Sequence, residues 1–300
     1  MLACEFGLLA ALLMVSGTPA DTGGALSRAL VSPDRDAVST IGARAGAAGL
    51  APVLANGTRR QRIAACRAAP SAPDAWALVA PLARVAAGGD RALAVEAARA
   101  AGAVAATLDR DALIAAEAPD DEVRAALAAW RTIGADANRW PDVRVHALEI
   151  GRDLAAALGP DASADDAPFD AAARVTDAEP EVRRAALELL PARNPPLALA
   201  ASALADPDPA VAIAAAQTMC AGLALGDDAK PVLAEAGAAG LERMRALVVD
   251  ATLSAPARLD TARCLVADGA ASSVAAARRF AARAPRSIRA DAARMIRGGR

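Results

Sequence analysis

The 300-residue sequence predicts an all-α fold, and three observations carry that expectation. Alanine, the strongest helix former, fills nearly a third of the chain. β-branched and aromatic residues are scarce, with no Tyr, three Trp and three Phe, which excludes a sheet-built core. A proline-led apolar pattern recurs at helical spacing about every thirty residues. Apolar content of 55% is enough to bury a core and excludes a disordered chain. Net charge is −2, and Lys230 is the only lysine, so arginine carries nearly all positive charge. That arginine bias and the alanine load match the coding bias of a GC-rich bacterial genome.

The first element is a short apolar run from Phe6 to Val15. It is too short to span a bilayer, which takes about 20 residues. Thr18 and Ala20 are small residues at the −3 and −1 positions of a cleavage site, so residues 1–20 read as a secretory signal peptide. The region before the run departs from that layout, because it carries Glu5 and no Lys or Arg. Residues 21–33 read as a linker, and no transmembrane span is expected in the mature chain. The expected location is periplasmic or secreted if the signal is genuine, and cytoplasmic otherwise. Cleavage leaves Cys66, Cys220 and Cys264, an odd number with no CxxC spacing, and each reads as a small buried residue.

The repeat is sharpest in three places. Asn138, Pro141, Val143 and Arg144 form one copy; Asp177, Pro180, Val182 and Arg183 the next; Asp206, Pro209, Val211 and Ala212 the third. The valines are 39 and 29 residues apart, and an acidic insertion near 160–169 accounts for the longer step. Looser copies start at Thr58, Asp90, Asp120, Ser254 and Pro285. The Val211 to Leu259 step leaves room for an extra helix, expected over Leu241 to Leu253. Each copy reads as a helix start. Asp, Asn or Ser is expected to cap free backbone N–H groups, Pro fits the first turn, and Glu181 or Asp142 suits the helix dipole. Val182, Ala185, Ala186 and Leu189 then form one apolar stripe. A second apolar helix follows, as at Leu197 to Ala205, so the unit is a helical hairpin. Such hairpins must stack to bury their faces, and alanine allows close approach of helix axes.

The strings Asp-x-x-Pro-x-Val-Arg-x-Ala-Ala-x-x-Leu resemble HEAT repeats of the short bacterial kind. Asp177, Pro180, Val182, Arg183, Ala185, Ala186 and Leu189 match best, followed by Asp206, Pro209, Val211, Ala214 and Ala215; Ala212 departs by lacking the arginine. The resemblance implies a right-handed α-solenoid of stacked helical hairpins, an armadillo-type superhelix, over residues 34–300. It also implies a binding scaffold in which Asp177, Arg183, Asp206, Arg124 and Arg144 are architectural and link successive repeats.

The chemistry a catalyst needs is sparse. His146 is the only histidine, and there is no HExxH, GxSxG, Walker A or GxGxxG motif. The acidic insertion lacks the glycine and closing Glu of a calcium loop. No catalytic residue, cofactor or metal ligand is expected. Residues 258–300 hold ten arginines against three aspartates, and Arg278, Arg279 and Arg283 are candidate partner contacts. Trp140, beside Pro141 in a turn, is a candidate hot spot, while Trp76 and Trp130 are expected in the core. The leading expectation is a non-catalytic scaffold for an unknown protein partner. Nucleic acid is disfavoured by the acidic pI of about 5.6 and the few aromatics. Two alternatives stand beside it. One is an enzyme or enzyme accessory similar to the phycobilin lyases. The other is anion or nucleic-acid binding through the Arg-rich end.

Overall fold

A computed structural model describes residues 19–31, 36–159, 171–190, 196–221, 223 and 228–298. The described residues form sixteen α-helices, two short 3-10 helices and no strand, so the chain is all-α. Contacts divide it into two compact units, 1–169 and 170–300. The apolar run at 6–15 and the acidic insertion near 160–169 lie outside the described residues.

The first unit opens with α1 (Pro19–Ala29) and α2 (Ala37–Asn56). Residues 21–29, expected as a linker, are therefore helical. Thr22, Leu26 and Ala29 are buried, and α1 packs on α2 and on α3 (Arg59–Ala68). The Gly23-Gly24 pair reads locally as a loop, yet a Cβ at Gly23 would lie 3.1 Å from Gln61 Nε2. The small residue allows close packing. Then come α4 (Val79–Ala86), α5 (Arg91–Ala105), the short α6 (Arg110–Ala115), α7 (Asp120–Ala135) and α8 (Pro141–Leu158).

Neighbours in sequence pack as pairs: α2 with α3, α4 with α5, α7 with α8. Alternate helices also pack in two rows, α3–α5–α8 and α2–α4–α7. The rows meet through small residues: Ala94, Ala97, Ala98, Ala101 and Ala105 of α5 are all buried. Trp130 of α7 fills the largest space at 0% exposure, and its indole N–H donates to the Val79 carbonyl at 3.2 Å.

The second unit repeats the arrangement. It holds α9 (Ala171–Arg174), α10 (Pro180–Glu188), α11 (Leu197–Ala203), α12 (Pro209–Cys220), α13 (Ala229–Val249), α14 (Ala255–Asp268), α15 (Ala271–Arg283) and α16 (Arg289–Gly298). Here α10–α12–α14 form one row and α11–α13–α15 the other. Every residue from Val211 to Ala216 is buried, because α12 touches helices of both rows. Such a helix is apolar all round.

Two long helices are broken at glycine. Gly46 in α2 has φ 59° and ψ −173°, and Gly237 in α13 has φ 62° and ψ −178°. Only glycine adopts this conformation without strain. The extra helix expected over 241–253 is therefore the second part of α13, after Gly237. At the Gly46 break the Asp74 carboxylate accepts the Ala47 N–H at 2.6 Å and caps the second half of α2. Gly46→Ala is expected to lose about 2 kcal/mol, because its Cβ would also press on Asp74 Oδ1 at 3.1 Å. Urea unfolding checks this; an unchanged midpoint would contradict it. By length and composition α2 could cross a membrane. In the fold, its Leu50, Val53 and Leu54 are buried in the core of the first unit.

Candidate interaction surface

The repeat motif builds a clasp. In the second unit, Arg183 Nε and Nη2 donate to the two Asp206 carboxylate oxygens at 2.7 and 3.0 Å. Arg183 Nη1 donates to the Asp177 and Ala178 carbonyls at 2.8 and 2.9 Å. One guanidinium thus ties the turn before α10 to the turn before α12. The side chains are only 14% and 10% exposed. The hydrogen bond from Arg183 is the main cause holding the Asp206 carboxyl below its usual range.

The motif aspartates are not the helix caps the sequence suggests. Asp177 and Asp206 accept the N–H groups of Glu179 and Asp208, two residues on, at 3.1 and 2.9 Å. With Pro at the first helical position, the N-cap is the residue just before it. That residue is Glu179, Asp208 or Trp140. Asp208 does cap, accepting from Ala210 and Val211. Asn138 instead sits in a turn led by Asp136, which accepts its backbone N–H at 3.0 Å.

Arg144, at the motif position of Arg183, is 1% exposed and its Nε donates to the Gly134 carbonyl at 3.3 Å. The position of Ala212 is also fully buried. In the first unit, exposed ion pairs join α3 to α5 and α5 to α8: Arg59 with Asp90, Arg67 with Glu96 at 2.8 Å, and Arg91 with Asp142 at 3.1 Å. Exposed pairs of this kind add register more than stability.

The cysteines are where spacing gave no guidance. Cys220 and Cys264 form a disulfide between α12 and α14, with Cα atoms 5.9 Å apart. Cys66 is free and buried; burial pushes its thiol up to about 12, which leaves it inert at neutral pH.

The candidate chemical groups stay scattered. His146 Nδ1 lies 3.0 Å from Glu149 Oε2 on the same helix, and that hydrogen bond is the main cause lowering the Glu149 carboxyl. Among the described residues no group of three or more His, Cys, Asp or Glu could hold a metal. Trp140 is half-buried and packs on the core of the first unit, so its ring is shared with packing. Trp76 also packs on that core, half-buried.

The Arg-rich end is organised differently. In α15, Ser273, Ala276, Ala277 and Phe280 are buried, so the intervening Arg278, Arg279 and Arg283 point outward. Arg258 lies over the Phe280 ring at 5.2 Å to its centroid and is nearly buried. Arg278, Arg279, Arg283, Arg286, Arg289 and Arg297 are all exposed and make no ion pair among the described residues. Asp291, the only acid after Asp268, is bound to Arg294. Elsewhere in the same unit, Arg183, Arg184, Arg245 and Arg263 each hold an acid.

No family model matches the chain, and no curated protein matches it. Among solved structures 34 chains match. One is an engineered protein solved by the Northeast Structural Genomics Consortium, 15% identical, matched over 93% of this chain and 96% of its own, with a TM-score of 0.32. That likeness is too low to carry weight for fold or function.

Proposed function

We propose that the chain is a non-catalytic, HEAT-like α-solenoid scaffold that binds an acidic protein surface through its Arg-rich end. One observation carries this reading: six exposed arginines over 278–297 lack an acidic partner among the described residues, while Arg183, Arg184, Arg245 and Arg263 of the same unit are each paired with an acid. Unpaired like charge is tolerated at a surface and attracts a complementary partner. The row packing of alternate helices supports the solenoid arrangement, and the Arg183–Asp206 clasp supports the HEAT-like reading. Export is the expected context. The Cys220–Cys264 disulfide supports it, since such bonds persist in oxidising compartments.

The test is capture from a native extract with wild type and with a variant carrying Arg278→Glu, Arg279→Glu and Arg283→Glu. The reading predicts one acidic protein retained by wild type and lost by the variant at unchanged helical circular dichroism. Equal retention by both would overturn it. Mass spectrometry of the N-terminus of the natively expressed chain tests export in the same preparation. Cleavage after Ala20 would cut within the first turn of α1.

A further inference from the structure

A second arginine-lined site lies in the first unit. The last turns of α2, the start of α3 and the middle of α4 enclose a cleft of about 290 Å³. Its walls are apolar: Leu54 and Val85 are buried, and Ala55 and Pro81 complete the lining. Among the described residues, Arg62 from α3 and Arg84 from α4 are the only charged residues that line it. Neither makes an ion pair among the described residues. Arg62 Nε is sealed from the cleft and from solvent, so its Nη groups are the donors an anion can reach.

The contrast within α3 is informative. Arg59 and Arg67 of the same helix are each bound by an acid of the α5 segment, Asp90 and Glu96. Arg62 lines the cleft, where no acid among the described residues meets it. Two guanidinium groups that meet at one cleft without an acid attract an anion, and their accessible Nη groups can bind it by charge-assisted hydrogen bonds. Ligand sites typically combine apolar walls with a few placed polar groups, and this volume stands at the small end of their range.

We propose that this cleft binds a small organic monoanion, a carboxylate carrying a compact aliphatic body. The carboxylate meets the Nη groups of Arg62 and Arg84, and the aliphatic body lies against Leu54, Pro81 and Val85. Arg62 sets the anion's place; Arg84, more exposed, adds attraction at the mouth.

Isothermal titration calorimetry of the full chain with octanoate tests the proposal, with octanol and inorganic phosphate as comparison probes. Saturable octanoate binding at one site is expected, with octanol and phosphate each at least tenfold weaker. Arg62→Gln is expected to weaken octanoate at least tenfold, and Arg84→Gln less, both at unchanged helical circular dichroism. Ala55→Trp, which fills the cleft from its exposed side while sparing both charges, is expected to block binding at unchanged helical circular dichroism. Absence of saturable octanoate binding to wild type would overturn the proposal. So would equal affinity for octanol or phosphate, or octanoate binding unchanged in Arg62→Gln.

Discussion

Arg183→Ala is expected to destabilise the unit spanning 170–300 by about 3 kcal/mol, at the low end for breaking a largely buried ion pair. The change deletes four hydrogen bonds at once, two to Asp206 and two to the Asp177 and Ala178 carbonyls. It also leaves Asp206, 10% exposed, without its cation. The turn before α12 then loses the group that holds it to the turn before α10. Arg183→Lys keeps the charge but not the planar fork, and should recover less than half of the loss. A pH signature goes with it. The Asp206 carboxyl is lowered in the fold, so its stabilisation is complete above the unfolded carboxylate value of about 3.9. It is lost as pH falls through the lower, folded value. Asp206→Asn should remove that part of the acid dependence below about pH 4. Urea unfolding at neutral and acid pH measures both effects; a midpoint in Arg183→Ala equal to wild type would contradict the clasp.

Replacing both Cys220 and Cys264 by Ala is expected to cost the same unit about 4 kcal/mol, from the entropy of closing a long loop in the unfolded chain. The bond joins positions 44 residues apart. Both sulfur-bearing residues are at most 2% exposed, so a reductant should act slowly until the unit opens. Chemistry and stability can be read on one sample. Protein unfolded without reductant should label with maleimide at Cys66 but not at Cys220 or Cys264, which should label only after reduction. Labelling of Cys220 and Cys264 before reduction would contradict the disulfide.

How much was legible in the sequence differs from residue to residue. The start of α10 at Pro180 and of α12 at Pro209 was readable, because Pro and the apolar stripe are local signals. The partner of Asp206 was not read from spacing: Arg183 lies 23 residues away and meets it only once α10 and α12 pack side by side. The role of Asp177 was misread as a cap for a local reason. The proline advances the helix start, so the residue before it becomes the cap. The disulfide escaped because three cysteines without a spacing rule leave the pairing open. The first helix lies in the stretch read as a linker: Gly23 and Gly24 are poor helix formers, and only the packing of Gln61 on Gly23 shows why the helix needs a small residue there. The break at Gly46 had no signal at all in a stretch rich in glycine and alanine. The outward arginines of α15 were the most legible part of the candidate surface, since Ala276, Ala277 and Phe280 fix which side faces in.

The central claim is that this end binds by charge. The most direct measurement is the affinity of the captured acidic partner for wild-type chain across a series of NaCl concentrations. The same titration is run with the Arg278→Glu, Arg279→Glu, Arg283→Glu variant. Affinity is expected to fall steeply with salt for wild type and to be absent in the variant. Affinity that is independent of salt, or equal in the two proteins, would contradict it.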